Sequence, residues 1–182
     1  MQKRKFSFIF MSAIMILIFS LSFSGCNSKS KSSGNTGSGK EVQVNISTSK
    51  GDIVLSLRPD LMPITVDNFV GLIEKNFYNG LTFHRVEDWV IQGGDPKGNG
   101  SGGSDKKIKL ETSKDLLNVR GAVAMARSQD KNSASSQFYI LKKDASHLDG
   151  DYAVFGKVIQ GMDVVNKIAI GDKMTDVKVS KK

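Results

Sequence analysis

Cysteine and histidine are scarce in this chain of 182 residues: the single cysteine is Cys26, and the only histidines are His84 and His147. One thiol excludes an intrachain disulfide and a cysteine-based zinc site. Two histidines 63 residues apart, with no His-x-x-x-His pair, make a weak set of metal ligands. We therefore expect a domain that is stabilised by packing and that needs neither a metal nor another cofactor.

The common motifs of hydrolases and nucleotide-binding proteins are also missing. No Gly-x-Ser-x-Gly sequence occurs, and the glycines at 98–103, although they have Gly-x-Gly-x-x-Gly spacing, do not directly follow a strand. A catalytic triad of one histidine with one of the many serines stays open as an alternative. The net charge is +8, but no dense Lys/Arg run is interleaved with aromatic residues, so we expect no nucleic-acid partner.

Residues 1–25 have the order of a secretory signal peptide. The basic Lys3–Lys5 precedes the uncharged stretch Phe6–Phe23. Cys26 then follows Ser24 and Gly25, which resembles the lipobox of bacterial lipoproteins, although Phe23 stands where that motif usually has leucine. We expect Cys26 to carry a lipid. The alternative is an uncleaved helix, because 18 apolar or small residues approach the roughly 20 that span a bilayer. Both interpretations place the remaining chain outside the cytoplasm, because Lys and Arg stay inside.

The lipidated cysteine begins a predicted tether at 26–40. Residues 27–40 read NSKSKSSGNTGSGK, with no large apolar side chain, so they cannot bury enough surface to fold. A Gly/Ser-rich chain of 14 residues reaches about 20 Å on average. The remaining residues, 41–182, have the length of a single domain.

Periodicity predicts the first elements of that domain. Alternating apolar residues at 42–46 and 53–57 flank the turn residues 50–52, which indicates an antiparallel hairpin. Val66, Phe69, Val70 and Ile73 recur at helical spacing after Pro63, which indicates a helix with one buried face.

The rest of the domain reads as short strands and polar loops. Strands are predicted at 81–86, 90–92, 122–126, 138–141 and 153–158, and a second helix at 162–168. The stretches 93–105 and 128–136 are exposed loops. This pattern favours a mainly β fold, a closed or nearly closed antiparallel barrel whose ends are covered by helices. It leaves the strand order open, and also whether residues 176–179 complete the barrel.

Four blocks of sequence, in the same order, resemble the cyclophilins, a family of peptidyl-prolyl cis-trans isomerases. They are FHRV with WVIQGGDP at 83–96, GAVAMAR at 121–127, SSQFYI at 135–140 and LDGDYAVFGKV at 148–158. The resemblance implies a closed eight-stranded antiparallel barrel capped by two α-helices, with a proline-binding groove on its outer face. It also implies a monomer that accelerates rotation of Xaa-Pro bonds in unfolded or exported polypeptides.

The resemblance assigns roles to individual residues. Arg85 would hydrogen-bond the prolyl nitrogen as the bond twists, and Gln92 would position the substrate carbonyl or orient Arg85. His84 is interpreted as a packed, hydrogen-bonded structural residue rather than an acid or base. The pocket for the proline ring and the contacts to the peptide would come from Trp89, Val90, Ala126, Arg127, Gln137, Tyr139, His147, Leu148 and Tyr152.

Two alternatives accompany this interpretation. The groove could hold proline-containing segments as a chaperone module without significant turnover, or the domain could be an inert structural lipoprotein. Trp89 stands where the family usually has Phe, and His147 where many eukaryotic members have Trp. The departure at Trp89 predicts a shifted substrate preference. The departure at His147 predicts weak inhibition by cyclosporin, because the Trp of those eukaryotic members donates its indole hydrogen to that drug.

Overall fold

In the computed structural model, which describes residues 41–180, all the strands belong to one antiparallel sheet. The predicted signal peptide, the lipidated Cys26 and the tether up to residue 40 lie outside the described residues. The eight strands are β1 (Val42–Thr48), β2 (Gly51–Leu57), β3 (Arg85–Val86), β4 (Val90–Gly93), β5 (Ala122–Met125), β6 (Phe138–Leu141), β7 (Val154–Gln160) and β8 (Met174–Ser180). Their order in the sheet is β3-β4-β6-β5-β7-β2-β1-β8.

The sheet curls into a half-barrel, so the predicted closed barrel is wrong. Its edges are β3 and β8, and between them the described residues form one isolated bridge, Thr82 to Lys173, instead of a ladder. The backbone N–H of Met174 also donates to the carbonyl of Leu81 at 2.9 Å. The reason is the length of β3: only two residues of the predicted strand 81–86 are regular. The backbone hydrogen bonds between residues 80–83 and 171–174 therefore do not continue into a ladder between β3 and β8.

The predicted hairpin and first helix are confirmed. Strand β1 pairs with β2 through Val44 opposite Leu55, and both side chains are buried. Helix α1 (Pro63–Glu74) begins at the predicted proline. Proline has no backbone N–H, and this removes no hydrogen bond because N–H groups in the first turn have no acceptor within the helix. Met62 provides no side-chain cap, and the carboxylate of Glu111 instead accepts hydrogen bonds from the backbone N–H groups of Ile64 at 3.1 Å and Thr65 at 2.7 Å.

The second helix, α2 (Met162–Lys167), follows a tight turn at Gly161. Gly161 has φ 92°, and a Cβ at this position would collide with the carbonyl oxygen of Asp52, so only glycine fits. The chain then returns as β8, which pairs with β1 and completes the sheet. Within residues 41–180 no helix is both long and apolar enough to cross a membrane.

The central strands β4, β5 and β6 are buried on both faces. Ile91, Val123 and Phe138 point into the main core, which α1 covers. Their neighbours Val90, Ala124 and Tyr139 point to the opposite face and form a second apolar cluster there. Burial on both sides explains why these strands read as continuous apolar runs rather than as alternating ones. The second cluster forms the base of the candidate site.

Candidate active site

One row of paired residues crosses three strands and carries the polar centre of the site. Arg85 on β3 lies opposite Gln92 on β4, and Gln92 lies opposite Tyr139 on β6. Side chains of directly opposed residues share one face of a sheet. The ladder therefore brings Arg85, Gln92 and Tyr139 side by side on the outer face.

Beside this row lies a cavity of about 420 Å³. Its floor is apolar and belongs to the second cluster, and its rim carries the guanidinium of Arg85 and the amide of Gln92. It brings together nine of the eleven residues predicted to act on substrate. The lining residues are His84, Arg85, Trp89, Val90, Gln92, Asn99, Gly100, Ala126, Arg127, Tyr139, Leu148 and Tyr152.

The other two predicted residues lie next to this cavity. Gln137 lines a neighbouring cavity of about 390 Å³ that shares Gln92, Ala126 and Arg127 with the first. The ring of His147, in a short 3₁₀ helix (Ser146–Leu148), is tilted against that of Trp89 with 6.3 Å between ring centroids. His147 thus lies against a lining residue of the cavity without being one of the lining residues itself.

A chain of amide hydrogen bonds orients Arg85. Its Nη1 donates to Oε1 of Gln92 at 3.2 Å, and Nε2 of Gln92 donates to Oε1 of Gln137 at 2.8 Å. Nε2 of Gln137 then donates to the carbonyl oxygens of Gly100 and Gly102, at 3.0 and 2.7 Å. Because each amide has a fixed donor and a fixed acceptor, Gln92 presents its oxygen to the guanidinium.

The loop 95–104 is built around a buried carboxylate. Asp95 is fully buried and accepts hydrogen bonds from the backbone N–H groups of Lys97, Asn99 and Gly100, at 2.8, 3.0 and 2.6 Å. Burial by itself would raise the pKa of Asp95, but these backbone hydrogen bonds outweigh it and hold the pKa below its ordinary value. The loop that receives Gln137 is therefore pinned by an ionised aspartate. The sequence predicts an exposed loop here and gives no sign of this anchor.

Tyr139 is held from the far side of the cavity. Its hydroxyl donates to Oδ1 of the buried Asn118 at 2.7 Å, and Asn118 in turn donates through N and Nδ2 to Oδ1 of Asp149, at 2.7 and 3.0 Å. Asp149 directly follows the pocket residue Leu148, so this network couples two walls of the cavity. Burial raises the pKa of Tyr139, which keeps the hydroxyl protonated and able to donate. Sequence reasoning missed Asn118, whose only signal was that a buried tyrosine hydroxyl needs a partner.

Arg127 and Tyr152 form the opposite wall. The guanidinium of Arg127 lies over the Tyr152 ring, 4.5 Å from its centroid, and its Nε donates to the carbonyl of Asp151 at 3.0 Å. The Tyr152 ring meets Tyr139 edge-on at 6.0 Å. Stacking on a neutral ring holds a planar guanidinium in place and does not neutralise its charge.

The ring of His84 is packed, as predicted for a structural residue. Both ring nitrogens are buried and find no hydrogen-bond partner among the described residues. Burial lowers the pKa of His84 although Asp95 lies nearby, so the ring is neutral at pH 7. A neutral ring under the loop at Gly100 fits a packing role.

Glu87 is a further site residue that sequence reasoning missed. Its Oε1 accepts a hydrogen bond from Nε of Arg85 at 2.6 Å, and its Oε2 accepts one from Nε1 of Trp89 at 2.8 Å. The Arg85 guanidinium also lies over the Trp89 ring at 5.3 Å. The available signal was the spacing Arg-x-Glu-x-Trp, because alternate residues of an extended segment share one side.

The chemistry that this arrangement can perform is non-covalent. The residues that line the first cavity include no serine, threonine or cysteine, and so they supply no nucleophile for His84 to activate. What the site does offer is an apolar notch with an oriented cation at its rim. A site of this kind can bind a small apolar ring and stabilise electron density that develops beside it.

The sequence profile of the family described as cyclophilin type peptidyl-prolyl cis-trans isomerase/CLD matches residues 43–182. The chain therefore belongs to the cyclophilin-type peptidyl-prolyl cis-trans isomerases. It is an enzyme of that class, EC 5.2.1.8.

Relatives and solved structures agree with this assignment. A peptidyl-prolyl cis-trans isomerase of Acinetobacter baylyi is 46% identical over 131 residues, covering 68% of this chain and 70% of the relative. One from Helicobacter pylori is 42% identical over 139 residues, covering 74% and 85%. A cyclophilin type peptidyl-prolyl cis-trans isomerase of Cryptosporidium parvum, crystallised in the presence of the dipeptide Ala-Pro, is 29% identical with a TM-score of 0.72, covering 77% of this chain and 99% of that one.

Proposed function

We propose that Arg85 stabilises the twisted imide of an Xaa-Pro bond whose proline ring occupies the cavity beside Trp89 and Tyr139. Rotation about this bond is slow because amide resonance opposes it with a barrier of about 18–20 kcal/mol. When the bond twists, resonance is lost and the prolyl nitrogen gains a lone pair. A fixed cationic donor then binds the twisted state better than either planar isomer, and only such differential binding accelerates the reaction.

The observation that carries this proposal is the way Arg85 is held at the edge of an apolar cavity. Nη1 is engaged by Gln92 and Nε by Glu87, whereas Nη2 has no hydrogen bond to any residue that the structure describes. One nitrogen therefore remains for substrate. The Ala-Pro dipeptide present with the Cryptosporidium parvum relative supports an Xaa-Pro segment as the ligand class.

The test is a protease-coupled isomerisation assay on a tetrapeptide that contains Ala-Pro. A charge-assisted hydrogen bond contributes about 1.5–3 kcal/mol, so Arg85→Ala should lower kcat/KM by roughly one to two decades. Arg58→Ala is the matched control, because Arg58 is a surface arginine that pairs with Asp60 at 2.7 Å. Full activity of Arg85→Ala would rule out the mechanism.

The isomerisation assay, combined with a peptide-binding measurement, distinguishes an isomerase from a module that only binds proline-containing peptides. A chaperone module would bind the peptide, as seen in chemical shifts around Trp89, without accelerating isomerisation. An inert structural domain would show neither effect.

We further infer that the clients are exported polypeptides and that the enzyme acts as a monomer on a lipid anchor at Cys26. The signal-like residues 1–25 and the lipobox-like residues 23–26 support this location. The apolar cavity, open on the outer face of the sheet, suits an extended segment of an unfolded chain.

A further inference from the structure

We propose that Glu87 is a positioning residue for the isomerase reaction: its carboxylate bridges Arg85 and Trp89 and so fixes the guanidinium against the wall of the proline cavity. This inference rests on the proposed function of Arg85. It adds a residue on the solvent side that acts through two others.

The two oxygens of Glu87 are divided between the two site residues. Oε1 takes the Nε proton of Arg85 at 2.6 Å, and Oε2 takes the indole N–H of Trp89 at 2.8 Å. With the guanidinium also lying over the indole ring, 5.3 Å from its centroid, the three side chains form a closed arrangement. Neither Arg85 nor Trp89 can rotate away without breaking a charge-assisted hydrogen bond.

The local backbone makes this arrangement possible. Glu87 follows the two-residue strand β3, and its N–H donates to the carbonyl of Val90 at 2.9 Å, which closes the turn between β3 and β4. Residues 85, 87 and 89 therefore present their side chains on one side of a short, closed loop. An arginine has several rotatable bonds, and fixing it before substrate arrives reduces the ordering cost in the transition state.

Gln92 alone leaves the guanidinium free to pivot. It holds one terminal nitrogen, Nη1, whereas Glu87 holds Nε on the opposite edge of the planar group. Two contacts on different edges define the plane of the guanidinium at the rim of the cavity that Arg85 lines. The pair is exposed, with 42% and 45% of the two side chains accessible, so its contribution is to geometry rather than to global stability.

The charged groups around Glu87 are few. Arg85 faces it directly, Asp88 is its chain neighbour, and the ring of His147 lies against that of Trp89. The backbone N–H groups of Lys142 and Lys143 donate to the carbonyl of Trp89. The hydrogen bonds from Arg85 and Trp89 hold the pKa of Glu87 below its ordinary value. The carboxylate is therefore ionised at neutral pH, and the bridge is lost only when the pH falls through that depressed pKa.

Trp89 provides a direct readout, because it is the only tryptophan in the chain. A nitrogen-proton correlation spectrum of the full protein contains one indole cross-peak, and its shift reports on the acceptor of that N–H. Glu87→Gln should move this peak and the Nε peak of Arg85. It should also lower kcat by roughly three- to tenfold in the coupled assay, with KM nearly unchanged. In the wild type the indole peak should shift as the pH falls through the depressed pKa of Glu87, and in Glu87→Gln that shift should be absent.

Asp88→Asn is the matched control: it removes one exposed carboxylate from the adjacent position and should leave the peaks and kcat as in the wild type. Glu87→Asp should restore part of the rate. If the indole peak of Glu87→Gln coincides with the wild-type peak, the bridge does not exist. If the peaks move but kcat stays at the wild-type value, Glu87 is not a positioning residue. A wild type without turnover, or a fully active Arg85→Ala, would instead contradict the proposed function even where the peaks move.

Discussion

At the scale of single residues, three polar side chains that line the cavity are each held by a further side-chain contact. Gln137 fixes Gln92, Asn118 fixes Tyr139, and Tyr152 fixes Arg127. A site that binds a twisted bond better than a planar one depends on such fixed groups, because a flexible donor would adapt to both. The residues that fix the others are therefore as informative to mutate as the lining ones.

The hydroxyl of Tyr139 provides one such experiment. Tyr139→Phe keeps the ring that borders the cavity but leaves Oδ1 of Asn118 without its donor, in a residue that is only 1% exposed. An unsatisfied buried acceptor costs about 1–3 kcal/mol, so the free energy of unfolding should fall by that amount in urea titrations.

Tyr152→Phe is the control for that substitution. Its ring also lines the cavity, but no residue in 41–180 hydrogen-bonds its hydroxyl, so the loss should stay within about 0.5 kcal/mol. Equal losses in the two variants would show that the Tyr139–Asn118 hydrogen bond contributes nothing to stability.

At the scale of elements, the loop 95–104 holds the side chain of Gln137 in place beside the site. Asp95 collects three backbone N–H groups, and the carbonyls of Gly100 and Gly102 receive the amide of Gln137. The loop is therefore linked to Arg85 by the hydrogen bonds of Gln137 and Gln92, and a displacement of the loop would disturb that chain.

Asp95→Asn should loosen the loop, because an amide cannot accept all three hydrogen bonds and turns an N–H₂ group toward donors. We expect a loss of roughly 1–3 kcal/mol in unfolding free energy at pH 7. Because the folded pKa of Asp95 is depressed, its stabilisation is present above the unfolded pKa of about 3.9 and is lost as the pH falls through the folded value. The difference between wild type and variant, measured by urea titration, should thus shrink below about pH 4.

Asp105→Asn serves as control, since Asp105 is an exposed carboxylate at the end of the same loop. A stability difference for Asp95→Asn that stays constant from pH 7 into the acid range would contradict an ionised anchor.

The elements also show what sequence reasoning can and cannot reach. The buried strands at 122–125 and 138–141, helix α1 and the cavity lining from Arg85 to Tyr152 were predictable, because apolar runs and the cyclophilin-like blocks mark them. Glu87, Asn118 and Asp95 were not assigned roles. The positions of Asn118 and Asp95 depend on turns and on contacts between loops, and a single sequence contains no periodic signal for such contacts. For Glu87 the only signal was the local spacing Arg-x-Glu-x-Trp.

At the scale of the whole molecule, the curled sheet explains why a closed barrel was the wrong expectation. Pattern alone predicts seven strands and leaves an eighth at 176–179 open. Closure depends on whether the first and last edges of the sheet are both regular, and the segment before β3 is not. The outer face of β4, β5 and β6 nevertheless carries a second cluster of buried apolar side chains. The candidate site needs that cluster and not a closed barrel.

The anchor is a property of the whole chain, and its chemistry can be measured directly. If Cys26 is lipidated, the mature protein extracted from membranes should lack residues 1–25 and carry acyl chains on residue 26, as read from its intact mass. Stable attachment requires about two acyl chains, because one chain gives only marginal membrane binding. Cys26→Ser should keep residues 1–25 and carry no acyl mass, while its kcat/KM in detergent equals that of the wild type, since the cavity lies in residues 84–152. A wild-type protein that retains residues 1–25 without acyl chains would identify the N-terminal segment as an uncleaved membrane helix instead, with the tether spanning the same roughly 20 Å to the enzyme.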